Sequence, residues 1–171
     1  MILSDLDPNL SFAQFKNAVR CLLFPSTVEN QVTQINALFA KKIFFSDLYL
    51  FDSGRSALAF ILQFLHKNNS HKNEVIVSAY TCVVVVNAII KAGLIPVYCD
   101  LKKDNLNLDL NDLNSKLTIR TLAIISQNSF GVLDDRAQIR KICDNEGIFF
   151  IEDLAHTLDV ETLVGDFAIL S

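Results

Sequence analysis

The stretch Ile148-Phe149-Phe150-Ile151-Glu152-Asp153 joins a short apolar run to two carboxylates. Short apolar runs of this kind are typical of strands that are buried on both faces of a parallel sheet. Such a strand places its last side chain at the carboxyl edge of the sheet, where α/β proteins bind their ligands. We therefore expect Asp153 to present a fixed negative charge at that edge, with His156 close behind it.

Working outward from this run, strand-like and helix-like segments alternate along most of the chain. The predicted strands are 48–51, 74–78, 95–99, 121–126, 148–151 and 166–170. The predicted helices between them are 55–66, 81–92, 111–117 and 134–145. Alternation of this kind favours right-handed crossovers and a mainly parallel sheet. The predicted fold is therefore a three-layer α/β/α arrangement.

The N-terminal region has a different pattern. Apolar residues recur at helical spacing from Phe12 to Leu23, Pro25 ends that helix, and Ser26 with Glu29 is typical of a capping box that opens a second one. We expect a helical N-terminal arm over residues 1–45 and a partial large domain over residues 46–171. The arm either covers the core as a pair of surface helices or packs on a partner subunit.

Composition excludes several classes of protein. The chain has 171 residues, is 51% hydrophobic and has a net charge of −4, so it can fill a core but offers no basic face for nucleic acid. Neither a secretory signal nor an apolar stretch long enough for a membrane span is visible. The four cysteines are far apart and lack zinc-ligand spacing, so no metal site is expected and reduced thiols in the cytoplasm are predicted.

Three features are predicted to meet at the carboxyl edge of the sheet. Ser53-Gly54-Arg55-Ser56 stands between a predicted strand and a helix, where backbone N–H groups and the helix dipole favour a phosphate. Tyr80 follows the next strand and offers an aromatic ring for a flat ligand. Asp153 adds the anionic strand end. Pyridoxal phosphate combines a phosphate, a flat ring and a ring nitrogen that functions when protonated, so its parts match these features.

Several ordered motifs resemble the DegT/DnrJ/EryC1/StrS aminotransferases, a family of fold type I pyridoxal phosphate enzymes. Besides residues 53–58, they include 74–83, 92–97, 107–109, Gln127-Asn128-Ser129-Phe130-Gly131, Ile151-Glu152-Asp153-Leu154-Ala155-His156 and 165–171. The resemblance implies a homodimeric aminotransferase that moves an amino group from glutamate to a keto sugar, which in many members is carried on a nucleotide.

The resemblance also implies roles for individual residues. Gly54, Arg55, Ser56 and Ser171 would hold the phosphate, with Arg55 standing where the family more often has Thr. Asp153 would meet the pyridine nitrogen, and His156 would lie near the phenolic oxygen at a position often occupied by Gln. The ring-stacking aromatic of the family usually falls at the position of Cys82, so the assignment of stacking to Tyr80 stays open.

One expected element is missing from the sequence. In the family the Schiff-base lysine lies a few residues beyond the serine that matches Ser171, and no lysine of this chain follows the last predicted strand. We therefore expect no catalytic residue within the 171 residues and no turnover by this chain alone. The alternative is a degenerate, non-catalytic module that binds a phosphorylated ligand or mediates dimerisation.

Overall fold

The computed structural model describes residues 12–24, 29–30, 32–37, 48–157 and 163–170. The chain divides into two compact units, Met1–Leu48 and Tyr49–Ser171. In the first unit, helix α1 spans Phe12–Leu23, and residues 29–30 and 32–37 are also helical. The side chains of Phe12 and Leu22 on α1 are each 82% exposed. Ser26, the predicted cap of the second helix, lies outside the described residues.

The second unit is built on a parallel sheet. Its strands are β1 (Glu74–Ser78), β2 (Ile95–Cys99), β3 (Thr121–Gln127), β4 (Phe149–Asp153) and β5 (Phe167–Ile169). They form a five-stranded sheet in the order β2-β1-β3-β4-β5, and every neighbouring pair is parallel. The predicted α/β fold with a mainly parallel sheet is therefore confirmed.

Helices cover both faces of the sheet. These helices are α2 (Gly54–Asn68), α3 (Val83–Lys91), α4 (Leu110–Lys116) and α5 (Arg136–Glu146). Alternate residues of β1 point to opposite sides: Val75 and Val77 pack with buried residues of α2 and α3, whereas Ile76 packs with Leu113 of α4 and Ile139 of α5. This alternation follows from the period of two in a strand, and it gives the sheet an apolar layer on each face.

The prediction of a strand at 48–51 is wrong. Residues 48–51 have no regular secondary structure, and Tyr49 and Leu50 are exposed. An apolar run becomes a strand only where a neighbouring strand offers it hydrogen bonds, and within the described part of the chain none pairs with this one. Instead, the ring of Phe51 contacts that of Phe60 on α2, with centroids 5.3 Å apart. Asp153 consequently ends the fourth strand along the chain and not the fifth.

Strand β4 continues to Asp153, two residues beyond its predicted end at Ile151. The backbone remains extended because Glu152 and Asp153 pair with Ser126 and Gln127 of β3. A glutamate in a strand buried on both faces requires a partner. Arg136 supplies it, with Nε 3.1 Å from Oε1 and Nη2 3.2 Å from Oε2 of the fully buried Glu152.

The same glutamate fixes the segment that leads into β5. Glu152 Oε1 accepts hydrogen bonds from the backbone N–H groups of Val164 and Gly165, at 3.1 and 3.0 Å. Gly165 has no room for a side chain, since a Cβ there would lie 3.0 Å from Glu152 Cγ and from two carbonyl oxygens. Oδ2 of Asp166 lies 3.0 Å from Nη1 of Arg140 and accepts the N–H of Phe150. These contacts hold the β4–β5 edge in place next to the site.

In the part of the chain that the structure describes, every helix is too short or too polar to cross a lipid bilayer.

Candidate functional site

A cavity of about 640 Å³ opens at the carboxyl edge of the sheet. Its wall is formed by the start of α2, the loop between β1 and α3, the end of β3 and the end of β4. Of the residues predicted from the sequence to form a site, five line this single cavity: Gly54, Arg55, Tyr80, Asp153 and His156. Tyr80, Asp153 and His156 meet there because the parallel strands β1 and β4 end at the same edge, and the N-terminus of α2 adds Gly54 and Arg55 to the lining.

The other two predicted site residues, Ser56 and Ser171, are not among these five. Ser56 is not among the residues that line the cavity. Its hydroxyl accepts from Ser53 at 3.1 Å, and its hydrogen bond to Asp52 is the main cause that lowers the pKa of that carboxyl below 3.8. Ser171 lies outside the described residues.

Asp153 lines the cavity, and two donors from the chain hold its carboxylate. Its Oδ1 accepts the backbone N–H of Ala155 at 3.1 Å, and its Oδ2 accepts Nε2 of Gln127 at 3.1 Å. The ion pairs found among the described residues do not include Asp153. Its carboxylate therefore has an orientation set by the protein and a negative charge for a cationic ligand group to meet.

The N-terminus of α2 also lines the cavity, through Ser53, Gly54 and Arg55. Ser53 is the N-cap, and its hydroxyl and carbonyl oxygens accept the N–H groups of Ser56 and Ala57 at 3.2 and 3.0 Å. Because the first N–H groups of a helix have no partner inside it, those of Gly54 and Arg55 remain for a ligand. They carry the positive end of a 15-residue helix, and the exposed guanidinium of Arg55 adds a full charge. This arrangement suits a phosphate.

His156 contacts a segment that the sequence analysis did not assign to the site. Residues Ser129–Gly131 form a 3-10 turn in which Phe130 has a φ of 56°. The rings of Phe130 and His156 lie 5.6 Å apart between centroids, and the N–H of Phe130 points at Nδ1 of His156 at 3.4 Å. Both side chains are exposed towards the cavity mouth.

Three buried polar atoms on cavity-lining residues have no hydrogen-bond partner. They are Thr81 Oγ1, Gln127 Oε1 and Asn128 Nδ2. Leaving such an atom unpaired costs about 1–3 kcal/mol, so a polar ligand that satisfied these atoms would recover that cost. Gln127 and Asn128 follow the apolar part of β3 just as Asp153 follows that of β4. Their position at the end of a predicted strand could have identified them from the sequence as candidate site residues.

Tyr80 and Cys82 both line the cavity and both are exposed. Tyr80 and Cys82 occupy the two positions considered above for stacking on a flat ligand. The cavity therefore has an aromatic ring at the first and a thiol at the second. The remaining thiols in the sheet unit lie away from the cavity: Cys99 and Cys143 are buried, and burial raises the pKa of each to about 12. Among the described residues no cluster of three or more His, Cys, Asp or Glu could hold a metal ion.

The fold and the cavity define an α/β protein with a cavity at the carboxyl edge of its parallel sheet. Residues 25–166 match the model of the DegT/DnrJ/EryC1/StrS aminotransferase family, to which this chain belongs.

Similar proteins include sugar aminotransferases. The dTDP-4-amino-4,6-dideoxy-D-glucose transaminase of Escherichia coli is 33% identical over 111 residues, which cover 65% of this chain and 29% of that protein. Helicobacter pylori PseC, an aminotransferase involved in the biosynthesis of pseudoaminic acid, is 28% identical with a TM-score of 0.59, over 63% of this chain and 29% of that one. Spr1654 of Streptococcus pneumoniae, solved in its PLP form, is 25% identical with a TM-score of 0.58, over 63% and 31% of the two chains. The chain thus spans about a third or less of the length of these relatives.

Proposed function

We propose that this chain forms the coenzyme-binding part of a pyridoxal phosphate-dependent sugar aminotransferase. The observation that carries the proposal is that Asp153 and the N-terminus of α2 line one cavity. An anionic group and a helix N-terminus that line the same cavity match the charged ring nitrogen and the phosphate of this coenzyme. Membership of the family adds independent support.

The polar groups of the cavity fit the coenzyme part by part. The N–H groups of Gly54 and Arg55, together with the Arg55 guanidinium, would hold the phosphate, and Ser56 would contribute through the cap that shapes this turn. Asp153 would meet the ring nitrogen. Ser171 is proposed as a further phosphate ligand from its position in the family motif alone.

Each residue has a definite task in amino transfer. Pyridoxal phosphate supplies an electron-accepting ring when it is bound. Asp153 keeps the proton on the ring nitrogen, because separating that proton from a carboxylate in a partly buried site is unfavourable. His156 would donate a hydrogen bond to the phenolic oxygen, and Tyr80 and Cys82, which also line the cavity, would limit the access of water. The lining of the described cavity contains no lysine, so the amine that moves the substrate proton is not among these residues.

The proposed substrates are a keto sugar, carried on a nucleotide, and glutamate as the amino donor. Support comes from relatives named for amino-sugar synthesis, such as the Escherichia coli transaminase. We further propose a homodimer located in the cytoplasm. The exposed apolar residues of α1, among them Phe12 and Phe15, are compatible with an arm that packs on a second subunit.

The proposal is tested by calorimetric titration of the 171-residue chain with pyridoxamine 5′-phosphate, which needs no covalent link to lysine. We expect binding that is at least about 10-fold tighter than that of pyridoxamine, which lacks the phosphate. Asp153→Ala should weaken it, whereas Asp144→Ala, at an exposed site on α5, should not. Absence of binding, or an equal affinity of wild type and Asp153→Ala, would contradict the proposal. Amino transfer itself is assayed separately, with glutamate and nucleotide-linked keto sugars.

A further inference from the structure

Gln127 and Asp153 are partners across the sheet. They occupy the same level of the β3–β4 register, as the last residues of their strands. Residues paired in this way on neighbouring parallel strands direct their side chains to the same face of the sheet. The amide nitrogen of Gln127 consequently reaches Oδ2 of Asp153 at 3.1 Å.

The two donors to Asp153 act from different directions. Gln127 binds Oδ2 from the neighbouring strand, and the N–H of Ala155 binds Oδ1 from the turn that follows β4. Together they fix the rotation of the carboxylate plane. Each carboxylate oxygen can accept more than one hydrogen bond, so both keep acceptor capacity for a ligand. The carboxylate is thereby oriented before any ligand arrives, which reduces the cost of ordering it on binding.

The cost of Gln127 to the fold indicates that its role lies in the site. The preceding residues of β3, Thr121–Ser126, are all buried, and Gln127 is the one residue of the strand that is partly exposed. An ionised carboxylate only accepts hydrogen bonds, so the amide must turn its nitrogen towards Asp153. This leaves Oε1 buried without a partner. The unpaired acceptor belongs to a residue that lines the cavity, so the hydrogen bond from Gln127 to Asp153 is accompanied by a cost to the fold of about 1–3 kcal/mol.

We propose that Gln127 is a positioning residue that holds the Asp153 carboxylate towards the ring nitrogen of the bound coenzyme. This inference rests on the proposed function, because it presupposes a coenzyme whose ring nitrogen meets Asp153. Gln127 acts through Asp153 and is not itself required to touch the coenzyme.

The test compares two ligands and two substitutions in the full 171-residue chain. The ligands are pyridoxamine 5′-phosphate and its 1-deaza analogue, in which a carbon replaces the ring nitrogen. Gln127→Met keeps the length of the side chain without the donor, and Gln127→Asn keeps the amide but shortens its reach. Gln63→Met is the matched control, because the Gln63 amide donates to Lys91 O at the C-terminal end of α3 and does not line the cavity. Circular dichroism melts establish that each variant is folded.

We expect both Gln127 substitutions to weaken pyridoxamine 5′-phosphate binding by about 10-fold, as for the loss of a hydrogen bond to a charged group, and to leave the deaza analogue nearly unaffected. In ¹⁵N NMR spectra of ring-labelled ligand, the apparent pKa of the bound ring nitrogen should fall in both variants and stay unchanged in Gln63→Met. A general loss of structure would instead weaken both ligands alike.

The outcomes distinguish the proposed function from the positioning role of Gln127. If wild type binds neither ligand, the proposed function fails and this inference fails with it. If wild type binds pyridoxamine 5′-phosphate and the folded Gln127 variants bind both ligands as wild type does, the proposed function stands and the positioning role of Gln127 is wrong. Equal weakening of both ligands also overturns the positioning role.

Discussion

The backbone N–H of Phe130 points at Nδ1 of His156, with 3.4 Å between the two nitrogens. Because Nδ1 accepts this hydrogen bond, the neutral imidazole carries its proton on Nε2. Phe130 adopts a φ of 56° to make the contact, a left-handed conformation that costs a residue with a side chain about 1 kcal/mol. Strain of this kind is more often found at functional sites than elsewhere.

This relationship predicts how substitutions of His156 behave. His156→Gln keeps a donor, so we expect its affinity for pyridoxamine 5′-phosphate to stay within about 3-fold of wild type, whereas His156→Leu should lose about 10-fold. The measurement is a fluorescence titration, with His71→Leu at an exposed site away from the cavity as the control. Equal affinities of the Gln and Leu variants would show that a donor at this position is not used.

Arg55 is predicted to strengthen phosphate binding beyond what the helix end supplies. Replacing it by Thr, the residue more frequent in the family, should weaken pyridoxamine 5′-phosphate binding by about 3- to 10-fold and leave pyridoxamine unchanged. The loss should shrink as salt is raised, since Arg55 is exposed and its charge is screened. Lys67→Ala, at the opposite end of α2, is the control. A loss that is the same for both ligands would contradict a contact with the phosphate.

Glu152 is predicted to be among the costliest residues to remove. It is fully buried and accepts hydrogen bonds from Arg136, Val164 and Gly165. Glu152→Ala leaves these donors without the carboxylate, and breaking such a buried pair costs about 3–5 kcal/mol. Asp144→Ala, which removes an exposed partner of Arg140, should cost less than about 1 kcal/mol. Urea unfolding compares the two, and similar losses would refute a central role for Glu152.

Asp134 is predicted to give the fold a dependence on pH. Burial raises the pKa of this carboxyl above 3.8, although it accepts hydrogen bonds from Ser126 and Leu108 at 2.6 and 2.7 Å. A folded-state pKa above the unfolded value means that the folded state binds the proton more tightly. This contribution to the free energy of unfolding is fully present below pH 3.8, the pKa of the carboxyl in the unfolded state. It is lost as the pH rises through the folded-state pKa.

Asp134→Asn tests this sign. Its amide can accept from Leu108 and donate to Ser126, so the variant keeps both contacts without a titrating group. Urea unfolding at a series of pH values should show wild type losing stability relative to Asp134→Asn as pH rises from about 4 towards neutrality. A difference that is constant with pH, or that grows in favour of wild type, would contradict a raised pKa.

The sequence predicts the sheet well because its strands are short apolar runs, which are stable only when they are buried. Strand Ile95–Cys99 was predicted with its observed bounds, and the site residues Gly54 and Asp153 follow from where strands end and helices begin. The strand predicted at 48–51 failed because pairing depends on a neighbour that a local pattern does not reveal.

What the sequence could not supply are contacts between distant segments. The pairing of Gln127 with Asp153 depends on the register of β4 against β3, which single-sequence patterns do not fix. The pairing of Arg136 with Glu152 depends on how α5 packs on β4. The contact between Phe130 and His156 depends on a positive φ at a residue other than glycine. No propensity scale predicts that conformation for phenylalanine.

The most direct test is a crystal structure of this chain with pyridoxamine 5′-phosphate. The account predicts the ligand in the cavity, its ring nitrogen within hydrogen-bond distance of a carboxylate oxygen of Asp153, and its phosphate against the N–H groups of Gly54 and Arg55. A ligand bound with its phosphate towards Asp153, or bound outside this cavity, would contradict it.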